Sequence, residues 1–474
     1  MSKKLLSSLA ALVTAIAGMG IVKADTGYSA TFTSSITYSN VGTGTASVLM
    51  NFYDQNSGTA IPITRPSLAT GASSSLFLGS TSLAAGFNGS AIISSDQPIA
   101  ATAVQIATNT GTVVKNRPLS NGFASGAPQV LIATTLKNKF NFTERFNVQN
   151  ASSANVDLTV NFYDADNAGA LKNTQTMANL PPGAAKTFDL GTIAALPDGF
   201  NGSAVVTAIQ SGSGTPGTPA NIVASALELS TTGNAASAFE GVTGGANTLY
   251  MPSALCNAFG GFNSFYAIGN ADTTNAVVAV TYSNGATDSA TITPGAKKSF
   301  NTCLAAGMTQ GFSGAATIVS TGGKIVGIGK VQGLGVTTAF LGETAGSAKL
   351  ACPYVRWTPT AIYNSGVRQR GFLAIQNVGG ALAAGVVTVS YIDANGVVKA
   401  TQTLNALATG AKQSVSSLQT ALGDVDFGFD GTNFGGGVTI VGPAGSQLVA
   451  ITRIQSSDPG GASGYGEDYN CIPF

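Results

Sequence analysis

One phrase of the sequence returns at intervals of about one domain length. LAAGFNGSAII at 83–93 reappears as LPDGFNGSAVV at 196–206, and GFSGAATIV at 311–319 is a third, less similar version. Phe87 and Phe200, the aromatic residues of the first two versions, lie 113 positions apart. Repetition at a fixed period is the signature of a chain built from similar structural units. The repeat therefore predicts several similar domains and a structural role for the phrase itself.

Other phrases flank this one in the same order in four copies. Each copy has a segment that ends in Asn: SITYSN at 35–40, RFNVQN at 145–150, YAIGN at 266–270 and LAIQN at 373–377. An alternating apolar and polar segment follows, such as NVDLTVNFYD at 155–164, which is typical of a strand with one buried face. A Gly-led phrase then predicts a turn that begins another strand. Its versions are GASSSL at 71–76, GAAKTF at 183–188, GAKKSF at 295–300 and GAKQSV at 410–415.

These patterns predict an all-β chain of four tandem immunoglobulin-like antiparallel β-sandwich domains after a signal peptide. The predicted boundaries are 1–24 for the signal peptide and 25–115, 116–240, 241–346 and 347–474 for the domains. A fourth version of the repeated phrase is predicted in GFDGTNFGGGVTI at 428–440. Phe87, Phe200 and Phe312 are predicted core residues, held between glycines that permit positive φ or a close backbone approach.

Residues 1–24 have the features of a secretory signal. Lys3 and Lys4 precede an apolar run at 5–22, and small residues surround a predicted cleavage site after Ala24. A retained membrane anchor is the alternative, because the run is just long enough to span a bilayer. Cleavage removes three of the 22 basic residues and none of the 21 acidic ones, so that the mature net charge is −2. We expect no transmembrane helix after cleavage.

The composition limits both chemistry and partners. The chain contains no His, which excludes Ser-His-Asp and Cys-His nucleophile systems and zinc sites that use His. It also has no basic run, so nucleic acid is not expected as a partner. Charged residues make up only 9% of the chain. A nearly uncharged surface offers little electrostatic resistance to self-association.

Four cysteines in an exported chain predict disulfide bonds. They are Cys256, Cys303, Cys352 and Cys471, all in the second half of the sequence. Three pairings are open. We favour Cys256–Cys303 with Cys352–Cys471, because each bond then stays within one predicted domain.

Clusters of carboxylates are the candidate catalytic or metal sites. They are Asp164 with Asp166, Asp424 with Asp426 and Asp430, and Glu467 with Asp468. Two carboxylates suffice for glycoside hydrolysis, but a hairpin turn explains the first pair better. We therefore predict that the protein is not an enzyme and needs no cofactor. Ca²⁺ is the alternative, since Asp164, Asp166 and Gly169 weakly resemble an oxygen-ligand loop, as do the three acids at 424–430.

The only tryptophan, Trp357, is a candidate ligand-binding residue together with Tyr354 in the stretch CPYVRWTP. Exposed aromatic rings at these positions would be suited to stacking on a sugar. The alternative, which we favour for Trp357, is a core residue of the fourth domain beside Cys352.

The phrases FYDADNAG, LPPGAAKTFDL and LPDGFNGSAVV of the second copy resemble the tandem immunoglobulin-like repeats of bacterial secreted and cell-surface proteins. The resemblance implies an extended scaffold outside the cytoplasm and names no activity. We therefore predict a non-enzymatic structural or adhesive protein, such as a filament or surface-layer subunit. Its expected partners are itself, other cell-surface proteins or glycans. The alternatives are an extracellular glycan- or ligand-binding protein with its site in the C-terminal domain, and a carboxylate-dependent hydrolase.

Overall fold

The computed structural model describes residues 12–16, 32–55, 57–107, 117–231, 235–333, 336–358, 368–416, 426–428, 435–457 and 464–474. Their regular structure is almost entirely antiparallel β, arranged in eight sheets. The helices described are single 3-10 turns, at Leu78–Ser80, Ala165–Asn167, Leu190–Thr192 and Thr302–Leu304. None of these described helices is long and apolar enough to cross a membrane. The predicted all-β fold class is confirmed.

Successive pairs of sheets along the chain form the first two sandwiches. The first contains β1 (Leu12–Ile16), β2 (Phe32–Asn40), β3 (Val48–Asp54), β4 (Ala60–Thr64), β5 (Ser73–Phe77), β6 (Gly89–Ser95), β7 (Ile99–Ala107) and β8 (Leu119–Asn121). The second contains β9 (Gln129–Lys137), β10 (Phe142–Asn150), β11 (Val156–Asp164), β12 (Ala170–Leu180), β13 (Ala185–Asp189), β14 (Phe200–Gln210), β15 (Ile222–Ser230) and β16 (Ala236–Glu240). β8 pairs with β7, so the sheet of the first domain continues past residue 115.

The other two sandwiches follow in the same way. The third contains β17 (Thr248–Cys256), β18 (Asn263–Asn270), β19 (Ala276–Tyr282), β20 (Thr287–Ile292), β21 (Lys297–Asn301), β22 (Phe312–Gly322), β23 (Ile325–Gly333) and β24 (Val336–Leu341). The fourth contains β25 (Lys349–Cys352), β26 (Trp357–Thr358), β27 (Arg368–Asn377), β28 (Thr388–Asp393), β29 (Val398–Thr403), β30 (Lys412–Ser416), β31 (Gly436–Val441), β32 (Leu448–Ser457), β33 (Gly464–Asn470) and β34 (Ile472–Pro473).

The four domains share one topology. The strand orders of one sheet are β1-β6-β3-β4, β9-β14-β11-β12, β17-β22-β19-β20 and, with β34 added at the edge, β34-β25-β31-β28-β29. The strand orders of the other sheet are β5-β2-β7-β8, β13-β10-β15-β16 and β21-β18-β23-β24, while in the fourth domain β26 and β30 pair with β27 in β27-β32-β33. Each sandwich encloses its own apolar core. Equivalent strands thus come from equivalent phrases of the sequence.

The repeated GFNGSA phrase leads into an inner strand of the first sheet. Its first glycine has a positive φ in each version: 82° at Gly86, 82° at Gly199, 80° at Gly311 and 81° at Gly428. Phe87 packs edge-on against Phe52, with ring centroids 6.2 Å apart, and Phe312 packs against Tyr282 in the same way at 6.4 Å. Phe200 is fully buried, whereas Phe87 and Phe312 are half-buried. The phrase therefore shapes the core, as predicted.

In the fourth domain, an aromatic residue just before the phrase packs in the core. Phe427, the residue before Gly428, lies edge-on to Tyr391 at 5.9 Å. Phe427 is 3% exposed. The structure describes the predicted fourth version at 428–440 only in part, because 429–434 lie outside the described ranges.

The four domains form a closed arrangement. β8, β16, β24 and β33, the last strands of the second sheets, lie together, so that β8 contacts β16, β16 contacts β24, β24 contacts β33 and β33 contacts β8. The fourth domain therefore returns to the first, as in the hydrogen bond from Asn121 Nδ2 to the carbonyl of Asn470 at 2.8 Å. The extended scaffold that the resemblance implied is wrong for this chain, because contacts also form between domains that are distant in sequence.

Candidate functional site

The pair Asp164 and Asp166 belongs to a hairpin turn. Asp164 accepts a hydrogen bond from the backbone N–H of Asp166 at 3.1 Å. The carboxylate of Asp166 accepts from Asn201 Nδ2 at 2.7 Å and from Lys139 Nζ at 2.9 Å. Partial burial raises the pKa of Asp166, but these two donors outweigh it and the pKa is lowered. Because a general acid requires a raised pKa, this carboxylate is better suited to stabilising the turn.

Of the other two acidic groups, only the second lies fully within the described residues. Asp424 and Asp430 lie outside the described residues, while Asp426 lies within them. Glu467 is buried and pairs with Arg117 across the contact between the fourth and first domains. Asp468 is buried beside it and pairs with Arg453 at 2.6 Å. In the part of the chain that the structure describes, no three His, Cys, Asp or Glu residues come close enough together to hold a metal ion.

Trp357 and Tyr354 lie in the interior of the fourth domain, with 1% and 5% of their surface exposed. The guanidinium of Arg370 lies 5.5 Å from the Trp357 ring centroid, and Phe372 packs edge-on at 6.5 Å. The hydroxyl of Tyr469 donates to the carbonyl of Tyr354 at 2.7 Å. Sugar stacking needs an exposed ring face, which neither residue presents here. Both rings lie in the core of the fourth domain, which is the location that we favoured for Trp357.

Two disulfides close the third and fourth domains. Cys256, at the end of β17, is bonded to Cys303 in the 3-10 turn after β21, with Cα atoms 4.9 Å apart. Cys352, at the end of β25, is bonded to Cys471 with Cα atoms 4.6 Å apart. The structure thus contains the pairing that we favoured, and each bond joins segments of one sandwich.

A buried group of charges joins the second and third domains. Glu144 and Glu228 lie directly opposite each other on β10 and β15. Lys330 of β23 pairs with Glu228 across the domain contact. Burial raises the pKa of Glu144 well above its usual value, and the negative charge of Glu228 raises it further. Burial also raises the pKa of Glu228, but the charge of Lys330 and the hydrogen bonds from Glu144 and Lys330 together outweigh it, and the pKa is lowered. The ionised form is therefore favoured at Glu228, beside Lys330, and the neutral form at Glu144.

Two further acids lie where the domains converge. Glu240 accepts a hydrogen bond from the backbone N–H of Asn121. Glu343 accepts from Asn470 Nδ2 at 2.6 Å. Burial raises the pKa of each carboxyl to about 7, and the charge of Glu343 contributes to the shift of Glu240. These acids bind neighbouring domains, so their arrangement favours a structural role.

The sequence patterns did not predict these buried charges. Glu228 and Lys330, which pair across a domain contact, and Arg453, which pairs within the fourth domain, each occur in a mainly apolar final strand. These strands are NIVASALELS, KIVGIGKVQ and QLVAITRIQ. An isolated charge in such a strand requires a partner when it is buried. That signal predicts a buried ion pair for each of them, but it does not identify the partner.

The first domain differs from the other three at one edge of its first sheet. In the second domain, β9 spans nine residues and pairs with β14 from Phe200 to Thr207. The matching edge of β6 pairs with β1, which has five residues, only along 91–95. Gly89 and Ser90 pair with β3 on one side of β6, but at the opposite edge no strand of the described residues pairs with them. The first domain therefore has a shorter pairing at the edge where the second domain has a complete strand.

A cavity of about 280 Å³ lies beside this shorter pairing. Its lining is mainly apolar and includes Phe32, Ile36, Phe52, Leu83 and Phe87. In the second domain, the second half of β9 runs along the matching edge, and its Leu136 is 3% exposed. The cavity thus occupies the region that a longer first strand covers elsewhere.

The comparisons with known proteins assign no family. No protein-family model matches the chain, and no curated protein matches it. Among solved structures, the chain is similar to the serine-rich repeat protein Srr2 of Streptococcus agalactiae, with 10% sequence identity and a TM-score of 0.11. The match covers 52% of this chain and 84% of that one. At this TM-score the similarity carries no conclusion about fold or function.

Proposed function

We propose that this chain is a non-enzymatic structural or adhesive protein, secreted or held at the cell surface, and built from immunoglobulin-like sandwiches after residues 1–24 are removed. Two disulfides within domains suit an oxidising compartment. The low charge of the mature chain, net −2 over 450 residues, permits close association with other copies. The expected partners are copies of itself, other surface proteins or glycans.

One observation carries this proposal. The buried acids Glu228, Glu240, Glu343 and Glu467 each bind a group of another segment at a domain contact. Buried ion pairs, as at Glu228 and Glu467, and buried hydrogen-bonded carboxyls, as at Glu240 and Glu343, hold a particular arrangement of elements. The reason is that a buried polar group left without its partner is costly. The ionisable groups thus serve rigidity, as a subunit of a larger assembly requires.

Electron microscopy of the mature protein tests the proposal. We expect negatively stained samples of residues 25–474 to show ordered assemblies or, on cells, a surface layer or fibres. Dispersed particles across a range of salt concentrations, together with no binding to cells or glycans, would contradict a structural or adhesive role.

A hydrolase screen of the same protein tests the absence of enzymatic activity. We expect no turnover of glycoside or ester substrates. Turnover that disappears in Asp164→Asn, while an exposed control such as Asp198→Asn retains it, would show that the protein is an enzyme.

A further inference from the structure

We propose that two mature copies associate edge to edge through β6 of the first domain, strand against strand and antiparallel. This inference rests on the proposed function, and specifically on the removal of residues 1–24 during export. β6 of each copy then gains the neighbour that the equivalent strand has in the other domains. The partner is a second copy of this chain.

In the other three domains, the first strand completes the sheet at this edge. β9, β17 and β25 occupy the edge beside β14, β22 and β31 in the second, third and fourth domains. In the first domain, β1 at this edge lies entirely within 1–24. Signal cleavage after Ala24 therefore removes the whole strand that pairs with this edge of β6.

The alignment of the repeats supports the same conclusion. Phe142 and Asn150, the first and last residues of β10, correspond to Phe32 and Asn40 of β2, with a constant offset of 110 positions. With this offset β9 corresponds to residues 19–27, so the cleavage site falls inside the expected first strand. Only three of its nine positions remain in the mature chain. In the structure, Ile16 pairs with Ala91 as Ile132 pairs with Ala204, although the offset of 110 would place Val22 there. Both residues precede the cleavage site.

The residues between the predicted cleavage site and β2 are too few to replace the strand. Residues 25–31 precede β2, and four residues, 138–141, connect β9 to β10 in the second domain. Three residues would be left to pair with a seven-residue β6. A complete neighbour for β6 then comes from an intact strand of a second copy.

The composition of β6 makes it suited to this pairing. Sheet edges are normally protected from association by charged residues or proline. The opposite edge strands of the first sheets carry such residues: Pro62 in β4, Lys172 in β12, Asp288 in β20 and Lys399 in β29. β6, with the sequence GSAIISS, carries neither. Antiparallel pairing of β6 with itself satisfies both open edges at once, and places Ile92, its middle residue, near the twofold axis.

Sedimentation velocity of residues 25–474 tests the pairing. We expect a dimer at micromolar concentration. In Ile92→Lys, like charges would face each other near the axis, and we expect the dimer dissociation constant to rise about tenfold or more. The matched control is Thr64→Lys, which adds the same charge at the exposed, opposite edge of the same sheet, and should leave the dimer unchanged. Circular dichroism and thermal unfolding of both variants verify that each has folded.

A cysteine variant tests the geometry without adding charge. The described cysteines are all in disulfides, so Ile92→Cys should give a covalent dimer on mild oxidation, while Thr64→Cys should not. A monomeric mature protein would overturn the pairing, as would a dimer that Ile92→Lys leaves intact. Loss of the dimer in Ile92→Lys without cross-linking of Ile92→Cys would show that another segment of the second copy occupies the edge.

The outcomes also separate this inference from the proposed function. Ordered assemblies that persist in Ile92→Lys would support the structural role and contradict the β6 pairing. A dimer that is lost in Ile92→Lys, from a protein that forms no larger assembly and binds no cell or glycan, would support the pairing and contradict the structural role.

Discussion

At the scale of single residues, a buried asparagine performs the same task in every domain. Its Nδ2 donates one hydrogen bond to the backbone carbonyl of a residue three or four positions later in the chain. It donates a second to a carbonyl about 30 positions later or nearer. Its Oδ1 accepts a hydrogen bond from the backbone N–H two positions later. For Asn150 these distances are 2.7, 2.9 and 2.9 Å. Only a side chain with two donors and one acceptor can join these three segments. The four residues are Asn40, Asn150, Asn270 and Asn377.

Replacement of one of these residues should therefore be costly. In Asn150→Ala, two buried carbonyls and one N–H lose their partner, so we expect the free energy of unfolding to fall by about 2–4 kcal/mol. Asn155→Ala is the control, because Asn155 is exposed five positions away. Urea unfolding of both variants measures the difference. Equal stability of the two would mean that the hydrogen bonds of Asn150 contribute little.

The sequence showed where these asparagines occur but not what they do. The sequence shows that one strand of each copy ends in Asn. It does not show the partner, because the carbonyl of Leu180 that Asn150 binds lies 30 positions away. Likewise, the aromatic stretch at Tyr354 and Trp357 gave no indication of which rings are exposed, since burial depends on packing against Phe372 and Phe427. Local patterns predict strands and turns, while long-range partners depend on the tertiary fold.

At the scale of secondary-structure elements, the second glycine of the repeated phrase allows two strands to approach closely. A Cβ on Gly202 would lie 2.2 Å from the carbonyl oxygen of Tyr163 and 2.4 Å from Cζ of Phe200. Gly89 is equally close to Tyr53, where the Cβ would lie 1.9 Å from the carbonyl oxygen. The strand pattern was predicted from alternation, and this crowding explains why the strand contains glycine.

Gly202→Ala should thus strain the contact between β14 and β11. We expect a loss of about 2–3 kcal/mol in the free energy of unfolding, because backbone must shift to admit the methyl group. Gly269→Ala in β18 is the matched control, since its Cβ would meet no atom closer than 3.6 Å. That variant should change stability by less than about 1 kcal/mol. Chemical denaturation compares the two, and a Gly202→Ala protein as stable as the control would contradict the crowding argument.

At the scale of the whole molecule, the sequence predicted the sandwiches but not their closed arrangement. The strands follow from repeats that are local in the chain. The contacts that close the arrangement depend on residues such as Arg117 and Glu467, which lie 350 positions apart and share no repeated phrase. The net result is a molecule whose four domains meet at buried polar groups, so its stability should depend on their protonation.

The pH dependence of that stability can be given a sign. Glu240 and Glu343 have pKa values raised to about 7 from 4.5. Between pH 4.5 and about pH 7, the folded protein binds more protons at these two carboxyls than the unfolded chain does. The contribution of the two carboxyls to stability is therefore present below about pH 4.5 and is lost as the pH rises through 7. Lys297 acts in the opposite direction at higher pH, since burial lowers its pKa to about 7 from 10.5.

The double variant Glu240→Gln and Glu343→Gln should therefore remove part of the decline between pH 5 and pH 7. Glutamine keeps an acceptor for Asn121 N–H and for Asn470 Nδ2 but does not ionise. We compare the free energy of unfolding of the variant with that of the parent at each pH. Between pH 5 and pH 8, this difference should change by on the order of 1–3 kcal/mol in favour of the variant. Thermal unfolding of both proteins across this range measures the effect. A parallel pH dependence in the two proteins would show that these carboxyls ionise without penalty, and hence that the centre of the arrangement is open to water.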